Sequence, residues 1–292
     1  MLAGGPGGRG GAGMAGRAGG AARGARGARA AARAAAPAAT GTRYVAVNRF
    51  RTKGGGAPAA LEKRWADRPS RLAEMAGFRF FSLLRRVPAA GGPPVEDLDF
   101  DYFSFTVWAD EASFQAWRQG DAFKEAHGGG NFAGVVGMIV SSARTLKGPP
   151  KLATFVGRDA LSVPVAAADL PATVGGWRQV EADGVNLLEP ESFVVMDRYS
   201  VPEGREAAFA AAAASPTAAS AAGFRFASAL EREGKSEDGC NFYATSIWSS
   251  REAYEAGKEA LGRGALAEEF GAPGADPMLF EGKLVLETQQ GA

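Results

Sequence analysis

Histidine is nearly absent from this 292-residue chain: His127 is the only one. Cysteine is as scarce, with Cys240 alone, which excludes an internal disulfide and any multi-cysteine metal or iron–sulfur centre. Cys240 lies in "GCNFYATSIW", a strand-like stretch, so a buried small hydrophobe is the expected role. Zinc would need more His, Cys or clustered carboxylate ligands than the first half offers. No apolar run is long enough to span a bilayer, and a net charge of +1 gives no field that would draw nucleic acid or an anionic membrane.

Acidic residues are missing altogether from Met1 to Leu61, where the charges are Arg9, Arg17, Arg23, Arg26, Arg29, Arg33, Arg43, Arg49, Arg51 and Lys53. The first forty residues are almost wholly Gly, Ala and Arg and cannot bury enough apolar surface to offset their ordering entropy. We expect residues 1–40 to be a disordered organelle transit peptide, processed near 35–42, although serine is unusually sparse for one. A plastid is the expected destination, with the mitochondrion as the alternative. A low-complexity tail is the bland reading of the same composition.

What is present is a repeat. "RYVAVNRFRTKGG" from Arg43 returns as "SFVVMDRYSVPEG" from Ser192, "AGFRFFSLLRR" from Ala76 as "AGFRFASALER" from Ala222, and "FSFTVWADEASFQAW" as "FYATSIWSSREAYEAG". Each copy reads as a strand (43–51; 193–200), a helix (58–75; 203–214), a strand after Gly77 or Gly223, and a strand ending at Trp108 or Trp248. A second helix capped by Asp110 or Ser249 follows, then a last strand, "VVGMIV" or "FEGKLVLE". This βαββαβ order, twice over, predicts an α+β fold in which two ferredoxin-like repeats form an intrachain pseudo-dimeric α+β barrel. The expected domains are 41–149 and 191–290, joined by a Pro-, Gly- and Ala-rich linker at 150–190 that holds at most one added strand, "LATFV".

A lone histidine is more often structural than functional, yet imidazole is the commonest haem ligand and general base. Several features favour His127. "AFKEAH" closes the second helix with Phe123 one turn before the histidine, so both rings share a face. Glycines follow that can end the helix and admit a large ligand. Gly120 and Asp121 break the helix after Trp117, with Asp121 as a new N-cap, and can turn Trp117 and His127 toward one cavity; otherwise Trp117 reads as core with Phe114. Asn48 is an amide in an otherwise strand-like "YVAVNRF", where it either ties the strand to a neighbour or serves a site. The repeat supplies an internal control: Asn48, Trp117 and His127 correspond to Asp197, Gly257 and about Ala267, whereas Trp108 and Trp248 are shared. The shared tryptophans read as structural and the unshared trio as functional. "HGGG" is no esterase oxyanion loop, because it follows a helix and no GxSxG elbow exists.

Through "AVNRF", "AGFRFF", "FTVWADEASFQAWRQGDAF" and above all "DAFKEAH", residues 44–140 resemble the IsdG-type haem-degrading monooxygenases of the antibiotic biosynthesis monooxygenase superfamily, and among them the plastid members of green algae. The resemblance implies that His127 is the haem-iron ligand, that Asn48 donates a hydrogen bond to the attacking oxygen, that Trp117 presses on the porphyrin face, and that Phe123 lines the haem site. Haem would be both cofactor and substrate, O2 the oxidant, and an external reductase the electron donor. Val47 stands where close relatives have an acidic residue, and glycines replace a charged segment after His127. One chain would equal the family's homodimer, as a monomer with an internal pseudo-dimer or as a homodimer of whole chains. A haem carrier or sensor without turnover, and a cofactor-free monooxygenase of aromatic or quinone substrates, are the competing readings.

Overall fold

Strand alternation decides where each side of the chain goes. In β3 (Tyr102–Trp108), Phe103, Phe105 and Val107 join one core cluster, and Tyr102 and Trp108 join another on the opposite face. Both faces are buried, which requires cover on each. The computed structural model describes residues 39–292 except 90, 96–97, 128, 130–131, 272 and 274–275, and shows how both are covered. The expected transit peptide lies outside the described residues.

The first repeat contributes β1 (Ala39–Phe50), α1 (Ala57–Ala66), β2 (Phe78–Val87), β3, α2 (Glu111–Gln119), α3 (Asp121–Ala126), α4 (Phe132–Thr145) and β4 (Lys151–Ser162). After a short hairpin, β5 (Thr173–Val174) and β6 (Trp177–Arg178), the second contributes β7 (Ser192–Tyr199), α5 (Glu206–Ala213), β8 (Phe224–Arg232), β9 (Phe242–Trp248), α6 (Arg251–Gly257), α7 (Arg263–Phe270) and β10 (Met278–Glu287). Eight strands close into a barrel in the order β1-β3-β2-β10-β7-β9-β8-β4. Every neighbouring pair is antiparallel. The last strand of each repeat pairs with the second strand of the other, β10 with β2 and β4 with β8, so the two sheets close through their edges rather than by stacking alone. Both seams carry a bulge on that last strand, marked by a non-glycine residue at positive φ: Asp159 (47°) in β4 and Leu284 (52°) in β10. The duplication therefore extends to the irregularity that bends the barrel shut.

Gly77 and Gly223 occupy equivalent turns at φ +76° and +79°. A Cβ there would lie 2.1 Å from Ser113 Oγ or 2.4 Å from Ser249 Oγ, so only glycine lets β2 and β8 start this close to the following helix.

Four details differ from the sequence reading. The helix expected over 58–75 ends at Ala66, because Pro69 disfavours helical backbone at the residue before it; a short 3-10 turn, Leu72–Glu74, follows. "VVGMIV" is not a strand but the middle of α4, and the barrel strand is β4, which contains the expected "LATFV"; the stretch expected to be a linker with at most one strand also holds β5 and β6. A six-residue apolar run is ambiguous by periodicity alone; here it continues into "SSART", whose hydroxyls at Ser141, Ser142 and Thr145 receive Arg64 of α1 at 3.2–3.5 Å. The caps also shift by a residue: Gly120, not Asp121, caps α3, and Ser250, not Ser249, caps α6 by accepting from Ala253 N at 3.2 Å. Cys240 is buried just before β9, and burial raises its pKa. Among the described residues no helix is long and apolar enough to cross a membrane.

Candidate functional site

The outward face of the first repeat's sheet is only partly filled by its helices. Between them lies a cavity of about 220 Å³ that opens to the surface, smaller than the roughly 300–1,000 Å³ of most ligand pockets. Asn48, Trp117, Phe123 and His127 all line it. Asn48 reaches it because it follows Ala46 on the outer face of β1, opposite Ser104 of β3, to whose hydroxyl its Nδ2 donates at 3.1 Å. One of its two amide hydrogens stays available for a ligand.

The break at Gly120 sets the rest. Its extended backbone (φ −82°, ψ 171°) ends α2 and starts α3 in a new direction. The Trp117 and Phe123 rings then meet edge to face at 4.9 Å, and His127, closing α3, stacks on Phe123 at 4.0 Å and 28°. Trp117 also packs on Trp108 at 5.5 Å and on Phe114 at 6.0 Å, so its core and cavity-lining roles coexist. Its Nε1–H is buried with no partner among the described residues. The Phe123 carbonyl lies 2.7 Å from His127 Nδ1; a carbonyl only accepts, so the proton sits on Nδ1 and the Nε2 lone pair stays free. Burial, with Arg68 nearby, pushes the imidazole pKa below 6.5 and keeps it neutral. Gly129 N–H returns to Lys124 O at 2.9 Å and closes the helix end.

Three further residues line this cavity that the sequence reading did not single out as a set. Trp65 stacks on Phe81 at 5.4 Å, Arg68 lies 4.3 Å above Trp65 and 5.6 Å from Trp177, and Trp177 comes from the β5–β6 hairpin beyond β4. Burial lowers the Arg68 pKa to about 10, and its Nε–H has no partner among the described residues. Trp177 is held in place by the strap 173–191. Its Nε1 donates to Trp65 O at 3.3 Å; Leu188 N donates to buried Glu62, which also receives the Tyr102 hydroxyl at 2.7 Å; Arg178 donates to Glu191 and, at 2.6 Å, to Val285 O. The Gly175–Gly176 turn between two short strands was the readable signal for this hairpin. Arg118 adds an exposed cation at the rim.

The equivalent region of the second repeat is filled differently. A Cβ at Gly257 would lie 2.6 Å from the Trp248 ring, so no side chain can take the place of Trp117 there. Asp197, the counterpart of Asn48, pairs with Arg263 of α7 at 3.2 Å, with Tyr199 and Tyr254 close enough to feel both charges. Burial raises the Asp197 pKa and lowers that of Arg263.

The first repeat's cavity combines a neutral, oriented imidazole, an amide donor, aromatic walls and two arginines. That set offers a nitrogen ligand, a hydrogen-bond donor and cations for an anionic group.

Residues 43–129 match the family described as antibiotic biosynthesis monooxygenase. By structure, the chain is similar to a protein described as a candidate monooxygenase from Fusobacterium nucleatum subsp. nucleatum, with TM-score 0.52 and 10% identity over 85% of this chain and 95% of that one. It is also similar to a candidate monooxygenase from Lactobacillus acidophilus NCFM, with TM-score 0.51 and 11% identity over 86% of this chain and 99% of that one. At these identities the likeness is one of fold. The sequence matches no curated protein.

Proposed function

We propose that the chain is a haem-degrading monooxygenase with a single working site, in the first repeat. The observation that carries this is the His127 imidazole: neutral, fixed through Nδ1–H to the Phe123 carbonyl, and lining a cavity shared with Asn48 and Trp117. A histidine whose second nitrogen is held by a carbonyl is oriented and more basic as a ligand. Haem bound there would serve as cofactor and substrate, opened by oxygen from O2 with electrons from an external donor.

The chain's own residues divide the remaining work. His127 Nε2 would hold the iron, with Phe123 stacked on the imidazole to keep it in place. The spare N–H of Asn48 would donate toward the oxygen, and Ser104 fixes the Asn48 rotamer. Trp117, braced by Trp108 and Phe114, would form an aromatic wall for the porphyrin. Arg68 and Arg118 are the cations available to the propionates, and Trp65 and Trp177 keep water from that side. The acid-free, Arg-rich start of the chain supports delivery to a plastid.

Titration with hemin tests the reading. Wild type should develop a Soret band that His127→Ala weakens or shifts. No haem binding by the wild-type protein would overturn it.

A further inference from the structure

The inner face of β1 looks onto a different space. One end of the barrel opens into a cavity of about 160 Å³ whose floor is apolar: Val47, Phe103, Phe155, Met196 and Leu230. Arg49, Arg198 and Arg232 line the same cavity. Arg49 and Arg198 are the same position in the two repeats, each following the Asn48/Asp197 pair and each facing inward by strand alternation. Their side chains are only 18% and 19% exposed. Arg49, Arg198 and Arg232 each have a buried Nε–H with no partner among the described residues.

A buried donor left unpaired costs about 1–3 kcal/mol, so three at one mouth mark a place where an acceptor belongs. The carboxylates already there leave the Nε–H groups unanswered. Asp238 takes Arg198 Nη1 at 2.6 Å, and Glu237, itself 62% exposed, stands 3.5 Å from Arg49 Nη2 while sharing Lys151 at 3.2 Å. A fourth guanidinium, Arg86, lies 4.6 Å over Phe100 of the rim, close enough to Arg198 and Asp99 to feel both charges. The three lining arginines (49, 198, 232) are matched by three lining carboxylates (Asp99, Glu237, Asp238), and Arg86 and Lys151 beside them add two positive charges, enough for a carboxylate and too few for a polyphosphate. A guanidinium presents Nε–H and Nη–H side by side to a carboxylate. The apolar floor behind calls for a hydrocarbon body.

We propose that the barrel interior is a second binding site, separate from the His127 cavity, for an amphiphilic monocarboxylate with an aliphatic chain of medium length. The carboxylate sits among Arg49, Arg198 and Arg232, and the chain runs inward over Val47, Phe103 and Met196. The site draws on both repeats, so it exists only in the closed barrel, and it stands whether or not the first repeat degrades haem.

The test uses the full chain with methyl-labelled methionine and octanoate as probe. Octanoate should bind by calorimetry and give nuclear Overhauser contacts to the Met196 and Met278 methyls. Octan-1-ol should bind about tenfold or more weakly, as expected for losing a charge-assisted hydrogen bond. Arg198→Met and Arg232→Met should each weaken octanoate, and His127→Ala should leave it unchanged. Absence of binding, equal affinity for acid and alcohol, or loss of binding in His127→Ala would overturn the proposal. The methyl contacts are read in the wild-type protein and do not depend on any variant folding.

Discussion

Replacing Glu62 should loosen the His127 cavity from behind. Glu62 is fully buried, and its two oxygens accept from the Tyr102 hydroxyl at 2.7 Å and from the backbone N–H of Leu188. Tyr102 keeps its proton to donate because burial and the adjacent Glu62 push its pKa upward. In Glu62→Ala both donors lose their acceptor while staying largely buried, and at about 1–3 kcal/mol each the loss is about 2–6 kcal/mol. Glu62→Gln keeps one carbonyl oxygen for Tyr102 but sets an NH2 against the Leu188 N–H, so the cost falls to about 1–3 kcal/mol. Leu188 anchors the strap that carries Trp177, so hemin affinity should fall in the same order: wild type, Gln, Ala. Urea unfolding, read as midpoint and slope, gives the stabilities, and Soret titration gives the affinities. Two variants within about 0.5 kcal/mol of wild type would refute the reasoning, since that is the scatter of neutral surface changes.

Other changes probe other levels. Gly77→Ala and Gly223→Ala each combine positive φ with a Cβ overlap, and thermal melts should show a loss of about 2–4 kcal/mol. Arg68→Gln removes a charge that holds the His127 pKa down, so that pKa moves back toward 6.5. Because Nε2 must be unprotonated to bind iron, the acid limb of hemin affinity should shift to higher pH in this variant, measured by Soret titration across pH 5–8; an unmoved limb would deny the coupling. Arg263→Ala leaves Asp197 buried without its partner and should cost about 3–5 kcal/mol near neutral pH. Asp197 has a raised pKa in the fold, so its penalty applies above the unfolded value and is relieved as pH falls. Urea midpoints of this variant should therefore recover on acidification relative to wild type.

The duplication was legible because three matched stretches keep their order, and β3 and β9 carry the same alternation under the same tryptophan. That was enough to predict an α+β barrel of two ferredoxin-like halves. "LATFV" was readable as a strand, but not as the fourth strand of the first repeat: Arg158 and Asp159 interrupt the apolar pattern of β4 where the chain kinks, while the cleaner apolar run belongs to α4. In the site, the helix break at Gly120 was readable and accounts for the meeting of Trp117, Phe123 and His127. Trp177 and Arg68 were not, since their positions depend on a strap reaching back from beyond β4 and on a guanidinium lodged between two tryptophans. The repeat comparison identified Asp197 as the counterpart of Asn48, but not Arg263, whose pairing is set by tertiary packing.

The central claim is that haem held by His127 is consumed. The direct measurement follows wild-type protein loaded with hemin under air with ascorbate, recording the Soret band and chelatable iron together, beside Asn48→Ala. The account predicts that the band bleaches as iron appears, and that Asn48→Ala binds hemin but bleaches far more slowly. A wild-type spectrum that stays unchanged while the reductant is spent would contradict it and leave a haem carrier in its place.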